Sequence, residues 1–473
     1  MGGTDQHYPP VTIEVLPNTV LLEIFNFYVD QPLANEDAWH TLVQVCRQWR
    51  FVVFDSPRRL HLRLLCTPIR PLKILDIWPA LPIVIDFWTV IGFWTEGEQL
   101  RGMANVIAAL NQHCRVCKIH IRSIPNSLMK IFAVTEKPFP ELTYLKLDSN
   151  EKNVPTLPDS FLGGSAPRLH TLDLCGIPFP AVRKLLLSTR NLVGLCLWAI
   201  PHSGYISPEE VVTCLSALTA LKVFFLGFRY PQSQSRVARE TQRLPPATPI
   251  VLATLSKFTF KGNSEYLEDI VSQIDTPLLI LFKITLFNRL TFNTPLLRHF
   301  ISRTEIIKAH YRVNLDFHYG CVVVKFLPRK GTAVQGGLYL RILCTPLDWQ
   351  LSSVAQVCSS SLPLVYILEH LKIRSFRLHW QDDIEITQWL ELLYSFAAVK
   401  HLFVSDGLVP LVAPALQVLT GERVTEALPM LQNLVLDGLR RSKPVEEAIR
   451  QFIAARQLSG HPVTVIGHES LIT

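Results

Sequence analysis

The residues best able to hold a metal ion lie together in one short segment, His113-Cys114-x-x-Cys117-x-x-His120. Two thiols and two imidazoles are ligands that a tetrahedral zinc site can use. Structural zinc sites, however, usually join two separated ligand pairs. A strand beginning at Val116 would also prevent Cys117 and His120 from sharing one face with His113. We therefore expect neither a metal site nor another cofactor.

No other combination of residues indicates catalysis. The sequence has no GxSxG, HExxH, Walker A or GxGxxG motif in the required context, and Gly331 to Gly337 lacks the lysine of a phosphate loop. The acidic pairs Glu209-Glu210 and Asp382-Asp383 stand at expected helix starts, where carboxylates favour the helix dipole. We expect a protein that is not an enzyme. Because catalytic groups can be distant in sequence, an α/β hydrolase-like enzyme remains an alternative.

The composition is that of a folded chain with no strong bias in charge. Its 473 residues are 48% hydrophobic and 18% charged, which excludes disorder over most of the length. A net charge of +7 is mild for this length, favours acidic partners weakly and does not predict a nucleic-acid-binding protein. The length allows either several domains or one elongated repeat architecture.

Nothing in the sequence predicts export or membrane association. The N-terminal residues lack the basic and apolar regions of a secretory signal. The longest run without Asp, Glu, Lys or Arg, Trp349 to Leu368, carries Ser, Gln and Pro that a bilayer core would not accept. Ten cysteines without a disulfide-framework spacing predict buried free thiols. We expect an intracellular protein, cytoplasmic or nuclear.

The stretch from Leu16 to Val53 predicts a short helical module. Apolar residues recur at helical spacing from Val20 to Tyr28, and a second amphipathic run extends from Glu36 to Arg50. A unit of two or three helices this short buries little apolar surface by itself and gains stability by docking on a partner.

Beyond residue 60 the pattern changes to short apolar runs of the form L-x-x-L-x-L, which predict strands. Ten copies begin at Val116, Leu142, Leu169, Leu192, Leu221, Leu255, Leu279, Leu368, Val399 and Leu431. Helical patterns lie between them at Phe179 to Thr189, Pro208 to Leu218, Tyr266 to Ile274 and Ile386 to Phe396. Alternating strands and helices predict parallel strands stacked in an α/β leucine-rich-repeat-like solenoid. A doubly wound α/β domain is the alternative, but it should show a Gly-rich turn after a strand.

Two stretches interrupt the repeats. Arg229 to Pro249 is rich in Gln, Ser, Arg and Pro and predicts a mobile insertion. Apolar and polar residues alternate with period two in Arg312 to Phe317, Cys321 to Phe326 and Leu338 to Ile342, which predicts longer strands and a local change in the solenoid.

The stretch from Leu16 to Val53 resembles an F-box. The characteristic positions are Leu16-Pro17, Leu22, Ile24-Phe25, Leu42, Val45-Cys46-Arg47, Trp49-Arg50 and Val53. With the repeats that follow, the chain is similar to proteins of mushroom-forming fungi that join an N-terminal F-box to leucine-rich-repeat-like segments. The blocks SPRRLHLRLLCTP and LDIWPALPIVI extend the resemblance to about residue 90. The expected organisation is an F-box over residues 11–58 and a substrate-recognition domain over residues 59–473.

The resemblance implies a substrate-recognition subunit of a cullin-based, SCF-type ubiquitin ligase. The F-box of the family binds the small adaptor that links receptors to a cullin, and the C-terminal region binds the protein to be ubiquitinated. The adaptor contacts implied here are Leu16, Pro17, Ile24, Val45, Cys46 and Trp49. Leu22, Phe25 and Leu42 could instead pack inside the module. A repeat scaffold whose F-box works outside ubiquitination is a further alternative.

The positions between the buried ones in each L-x-x-L-x-L copy should line the concave side of the solenoid. Lys and Arg exceed Asp at these positions. We hypothesise that this face binds an acidic or phosphorylated segment of a protein substrate. The candidate contacts are Lys257, Lys261, Lys283, Lys372 and Arg374, with the aromatic residues Trp198, Phe225 and Phe403. The alternative is that these charges are solvated and bind no ligand.

Overall fold

The computed structural model describes residues 16–29, 38–67, 80–88, 96–124, 126, 130, 136–150, 154, 156–158, 160–178, 182–231, 248–287, 294–304, 310–328, 336–361, 367–376, 384–437 and 442–467. The chain forms two compact units, Met1–Ile177 and Pro178–Thr473. The boundary expected between residues 58 and 59 stays a prediction. Most of the expected insertion at 229–249 lies outside the described residues, and so do Gly331 to Gln335 and Asp382-Asp383.

Unit 1 begins with three helices, α1 (Asn18–Val29), α2 (Trp39–Val45) and α3 (Arg47–Asp55). The sequence predicted an amphipathic run from Glu36 to Arg50 in a module of two or three helices, and the structure divides the described part of this run at Cys46. That residue has an extended backbone, with φ −154° and ψ 174°, and its Sγ accepts a hydrogen bond from the backbone N–H of Trp49. Cys46 therefore ends α2 and caps α3.

The strands of unit 1 are β1 (Leu64–Cys66), β2 (Ile83–Trp88), β3 (Val116–Arg122), β4 (Tyr144–Asp148) and β5 (Thr171–Cys175). Each pairs in parallel with the next. Helix α4 (Glu96–Asn111) lies between β2 and β3 in the sequence. The repeat pattern predicted β3, β4 and β5, whereas it did not identify β1 and β2.

Unit 2 contains β6 (Gly194–Ile200), β7 (Val223–Phe228), β9 (Lys257–Gly262), β11 (Leu281–Leu286), β12 (His310–His318), β13 (Cys321–Pro328), β14 (Gly337–Ile342), β15 (His370–Ser375), β16 (His401–Val404), β17 (Asn433–Leu436) and β18 (Thr464–Gly467). Two short strands, β8 (Ile250–Val251) and β10 (Ile274–Asp275), form a separate parallel pair. All ten predicted repeat copies, those of both units taken together, thus contain a strand. In most of them the strand begins two residues after the leading Leu or Val.

The strand order of unit 2 departs from the sequence order at one place. The order is β6-β7-β9-β11-β14-β13-β12-β15-β16-β17-β18. Strand β13 is antiparallel to both β12 and β14, whereas β11 pairs in parallel with β14 and β12 with β15. The expectation that all strands are parallel was therefore wrong for β13, while the predicted local change in the repeat is confirmed. Tight turns can join antiparallel neighbours, as between β12 and β13, which only Tyr319 and Gly320 separate.

The helices of unit 2 are α5 (Val182–Ser188), α6 (Pro208–Ser216), α7 (Ser264–Val271), α8 (Pro295–Arg303), α9 (Leu347–Gln356), α10 (Ile386–Tyr394), α11 (Val409–Gln417) and α12 (Lys443–Leu458). The four predicted helices correspond to α5, α6, α7 and α10. Among the described residues, the helices and mostly parallel strands form the repeated strand-helix units that a leucine-rich-repeat-like fold requires.

The buried side of the sheet in unit 2 carries aromatic residues in register. Phe224 stacks on Phe258 with ring centroids 5.2 Å apart, and Phe258 stacks on Phe282 at 5.1 Å. Phe282 in turn packs edge to face against Phe300 of α8. Apolar side chains on this side of the strands thus pack against the helices, and the alternate side chains project from the opposite side.

Two charged side chains join neighbouring elements of unit 2. The carboxylate of Glu268 on α7 accepts hydrogen bonds from the backbone N–H groups of Leu296 and Leu297, at the start of α8. The buried guanidinium of Arg456 on α12 donates to four backbone carbonyls, those of Val424, Pro429, Leu431 and His461.

No helix in the described part of the chain is both long and apolar enough to span a bilayer.

Candidate functional site

The three N-terminal helices bury one set of apolar residues and expose another. The buried set is Leu21, Leu22, Phe25, Trp39, Leu42, Val43, Val52 and Val53. The sequence left open whether Leu22, Phe25 and Leu42 contact the adaptor or pack inside the module. All three are buried and pack inside the module. The indole N–H of Trp39 donates to the backbone carbonyl of Arg63 at 3.0 Å and ties the helices to the segment that follows them.

Helix α1 carries an exposed apolar stripe. Val20, Ile24, Phe27 and Tyr28 are 42%, 44%, 73% and 41% exposed. Their spacing of i, i+4, i+7 and i+8 places them on one side of the helix. Val45 at the end of α2 and Phe51 on α3 are also exposed. So many large apolar side chains on so small a module are typical of a surface that a partner covers.

The implied adaptor contacts differ in exposure. Pro17, Ile24 and Val45 are exposed, whereas Leu16, Cys46 and Trp49 are half-buried. The ring of Trp49 lies 4.7 Å from that of Phe25, so part of this side chain belongs to the core of the module. The sequence analysis did not name Val20, Phe27 and Tyr28 as contacts. Their helical spacing with Ile24 was the signal that could have identified them.

Outward side chains in unit 2 form rows across the strands, on a surface that we call the strand face. Pairing between neighbouring strands sets these rows. One row contains, in order, Phe225, Thr259, Lys283, Tyr339, Lys325, Asn314, Lys372 and Phe403. The next contains Gly227, Lys261, Thr285, Arg341, Val323, Asp316 and Arg374. Lys257 pairs with Val223 and Leu281 in a third row.

All eight residues predicted to bind substrate lie on strands of this one unit. Six of them stand in the first two rows and Lys257 stands in the third. Trp198 lies within a register shift between β6 and β7, and its ring lies 4.4 Å from that of Phe225. Whether they bind a substrate stays a prediction.

One part of the strand face contains a buried carboxylate that offsets part of its positive charge. The side chain of Asp316 is fully buried, and its two carboxylate oxygens accept from Lys325 and Arg374, each at 2.7 Å. Arg374 is therefore already paired with a carboxylate, although the sequence placed it among the groups free to bind a ligand anion. Nearby, the ammonium of Lys372 lies 4.0 Å from the ring centroid of Phe403.

The other part of the strand face has positive charge without counter-charge. The strands β6, β7, β9, β11 and β14 contain Lys257, Lys261, Lys283 and Arg341 and neither Asp nor Glu. Burial lowers the pKa of Lys261 below its ordinary value, and the charge of Arg341 lowers it further. Two cations close enough to interact in this way form a site where an anion would be stabilised.

Aromatic rings lie under the basic groups of the same strands. The ammonium of Lys261 is 5.0 Å from the ring centroid of Trp198 and 5.5 Å from that of Phe287. The ammonium of Lys283 is 5.6 Å from the ring centroid of Tyr339. Cation–π contacts hold these basic groups in place without neutralising them.

The sequence analysis did not identify Arg341, Tyr339, Lys325 and Asp316 as residues of this face. They belong to β12, β13 and β14, which lack the L-x-x-L-x-L form and were left out of the count of outward positions. The alternation seen at Arg312 to Phe317, Cys321 to Phe326 and Leu338 to Ile342 was the available signal. Counting outward residues there would have added all four.

In unit 1 the outward strand charges are largely paired. Lys146 on β4 forms an ion pair with Asp173 on β5 at 2.7 Å. His120 on β3 lies 3.1 Å from Asp86 on β2. An uncompensated basic patch like that on β9, β11 and β14 is therefore not found on these neighbouring strand positions of unit 1.

The four residues of the zinc-like segment do not converge on one point, although Sγ of Cys114 lies 3.4 Å from Nδ1 of the adjacent His113. The Nδ1 atom of His113 lies 2.9 Å from the carbonyl oxygen of Pro138, and Sγ of Cys117 donates to the carbonyl of Ile83. His120 faces Asp86. No group of three His, Cys, Asp or Glu side chains within the described ranges is arranged to hold a metal ion.

Comparison with known proteins assigns no family to the chain. No protein-family model matches the sequence, and no curated protein matches it. Among solved structures, the chain is similar to the leucine-rich repeat-containing protein LegL7 from Legionella pneumophila, with a TM-score of 0.27 and 14% identity. The alignment covers 82% of this chain and 97% of that chain. A similarity this low assigns no function.

Proposed function

We propose that this chain is a substrate-recognition subunit of a cullin-based ubiquitin ligase. Its N-terminal helices would bind the ligase adaptor, and through the adaptor a cullin, while the strand face of unit 2 would bind a protein substrate. The observation that carries the proposal is the exposed apolar stripe of α1, in a segment whose residues resemble an F-box. In this role the chain positions a substrate and has no active site of its own.

The exposed apolar residues favour docking over a free helical module. Val20, Ile24, Phe27 and Tyr28 each leave at least 41% of their surface in water. Burying an apolar surface contributes about 25 cal/mol per Å². A partner that covers the stripe, together with Val45, would therefore bind through an apolar centre of the kind found in stable interfaces.

The test is binding of purified adaptor to the full chain and to the double variant Ile24→Asp with Val45→Asp. Both side chains are exposed, so the change alters the surface and leaves the buried set intact. We expect adaptor binding to weaken by at least about tenfold, because two charges would enter an apolar interface. Trp49 is a less suitable position, since its ring packs on Phe25.

The matched control is Leu187→Asp with Leu458→Asp, which places two charges at exposed apolar positions of unit 2. This variant should bind the adaptor as the unchanged chain does. Equal adaptor binding by the α1–α2 variant and by this control would contradict the proposal. Adaptor binding without ubiquitin transfer to any captured protein would favour the second candidate, a repeat scaffold whose F-box works outside ubiquitination.

A further inference from the structure

We propose that the strand face binds a phosphorylated serine or threonine side chain of a protein segment between Lys261 and Arg341, above Thr285. This inference rests on the proposed function, because it names the class of substrate that the face would take. It also moves the binding site away from Arg374, which the sequence analysis included.

Strand pairing places Lys261, Thr285 and Arg341 side by side on three neighbouring strands. Lys261 on β9 pairs with Thr285 on β11, and Thr285 pairs with Arg341 on β14. Neighbouring strands lie about 4.8 Å apart, so the Cα atoms of Lys261 and Arg341 are separated by about 10 Å. Both side chains are long enough to reach an anion held over the central position. The hydroxyl of Thr285 would face that anion from below.

No carboxylate on the described strands around this position competes for Lys261 and Arg341. Lys261 forms no ion pair among the described residues, and β6, β7, β9, β11 and β14 contain no acidic residue. Arg341 donates from Nε to Sγ of Cys321 at 3.2 Å, which leaves its terminal nitrogens without a partner in the described part of the chain. Lys257 and Lys283 add positive charge on the same strands. A group with two negative charges would offset this repulsion better than one carboxylate.

The strands β12, β13 and β15 differ from these strands, because their basic groups contact a buried carboxylate. Lys325 and Arg374 share the buried carboxylate of Asp316, so a ligand anion there would meet a site that already holds its own. The strand face therefore has a carboxylate among its basic groups on β12, β13 and β15 and none on β9, β11 and β14. The phosphate position follows from this difference.

An apolar contact lies beside the phosphate position. Trp198 and Phe225 form an edge-to-face pair at 4.4 Å, and Val223 is 40% exposed. Phe225 and Val223 belong to β7, two strand spacings from Thr285, and Trp198 belongs to β6, three spacings away. An extended peptide advances about 3.3 Å per residue. We therefore expect an apolar residue of the substrate about three positions from the phosphorylated one.

The experiment measures retention of labelled peptide pools by the immobilised full-length chain, with no adaptor present. Three pools share a fixed Leu three residues from the centre and randomised flanks, and carry phosphoserine, serine or glutamate at the centre. We expect the phosphoserine pool to be retained at least about tenfold better than the serine pool. A charge-assisted hydrogen bond of about 1.5 to 3 kcal/mol corresponds to about tenfold or more.

The decisive variant is Lys261→Ala with Arg341→Ala. The control, Lys184→Ala with Arg303→Ala, removes the same charge from exposed positions on α5 and α8. The first variant should lose the preference for phosphoserine and the control should keep it, with both showing the thermal unfolding midpoint of the unchanged chain. If the double variant unfolds at a lower temperature, the single variant Lys261→Gln replaces it in the experiment. That variant keeps most of the side chain and should still retain less of the phosphoserine pool.

Three results would overturn the proposal. The phosphoserine and serine pools could be retained equally, or the glutamate pool could match the phosphoserine pool, which would indicate an acidic segment instead. A single-stranded oligonucleotide could bind while the phosphoserine pool does not, which would indicate nucleic acid. No adaptor takes part in this experiment. A negative result would therefore overturn the phosphate site and would not affect the test of adaptor binding.

Discussion

Trp198 lies across the backbone of Gly227, so that a β-carbon built on Gly227 would lie 2.5 Å from Cε3 of the indole. Gly227 pairs with Lys261 on the next strand, and Lys261 in turn lies over the ring of Trp198. The missing side chain at Gly227 thus allows an aromatic ring from β6 to reach across β7 to a basic group on β9. This arrangement joins the apolar and basic parts of the strand face.

The first prediction concerns this close approach. Gly227→Ala should lower the free energy of unfolding of unit 2 by about 1 to 3 kcal/mol, because the added methyl group must displace the indole or the strand. The measurement is thermal or denaturant unfolding of the full chain. Gly407→Ala is the control, since a β-carbon there meets no atom within 4 Å. Equal free energies of unfolding for Gly227→Ala and Gly407→Ala would show that Trp198 moves aside without cost.

The second prediction concerns the buried carboxylate of Asp316. Asp316→Asn should lower the free energy of unfolding by about 1 to 3 kcal/mol, because Lys325 and Arg374, each 31% exposed, would lose the charge that both of them contact. Asp173→Asn removes the partner of Lys146 from a pair that is 19% to 29% exposed, and it should cost less, about 1 kcal/mol or below. Denaturant unfolding compares the two. A smaller loss for Asp316→Asn than for Asp173→Asn would contradict the assignment of the buried pair.

The third prediction is a pH dependence from Glu268. Burial raises the pKa of this carboxyl above its ordinary value of 4.5, and the hydrogen bonds from Leu297 and Leu296 oppose the shift. A carboxyl with a raised pKa takes up a proton more readily in the folded chain than in the unfolded chain. Its favourable contribution is therefore complete below the unfolded pKa and is lost as pH rises through the folded pKa.

Glu268→Gln removes this titration. The stability of the unchanged chain minus that of the variant should therefore fall as pH rises through the raised pKa of Glu268. Denaturant unfolding at a series of pH values measures the difference. Glu422→Gln, at an exposed position, controls for the loss of one carboxylate. A difference that is constant or rises with pH would show that burial does not dominate at Glu268.

The N-terminal module shows how far the sequence pattern could go. Helical spacing predicted α1 correctly, because an apolar side chain every three or four residues is a local property of the chain. It could not predict the end of α2 at Cys46, since the extended backbone there depends on how α2 and α3 pack. Nor could it separate buried Phe25 from exposed Phe27, two residues of the same type whose burial depends on the neighbouring helices.

The repeats show the same limit at larger scale. The L-x-x-L-x-L pattern predicted ten strands and the side of each strand that is buried, because alternation within a strand sets both. The order of β12, β13 and β14 was not readable, because the alternation that marks a strand does not state which neighbour it will join. That order places Arg341 beside Thr285 and Asp316 beside Arg374.

The sequence by itself thus determined the repeating strand-helix units, the apolar residues of the N-terminal helices and the excess of basic residues on outward strand positions. These properties depend on neighbours close in the chain. The tertiary structure decided which of the basic groups keep their charge uncompensated. Ion pairing and burial depend on side chains brought together across strands, as Asp316 meets Arg374 from 58 residues away while Lys261 meets no carboxylate on its neighbouring strands.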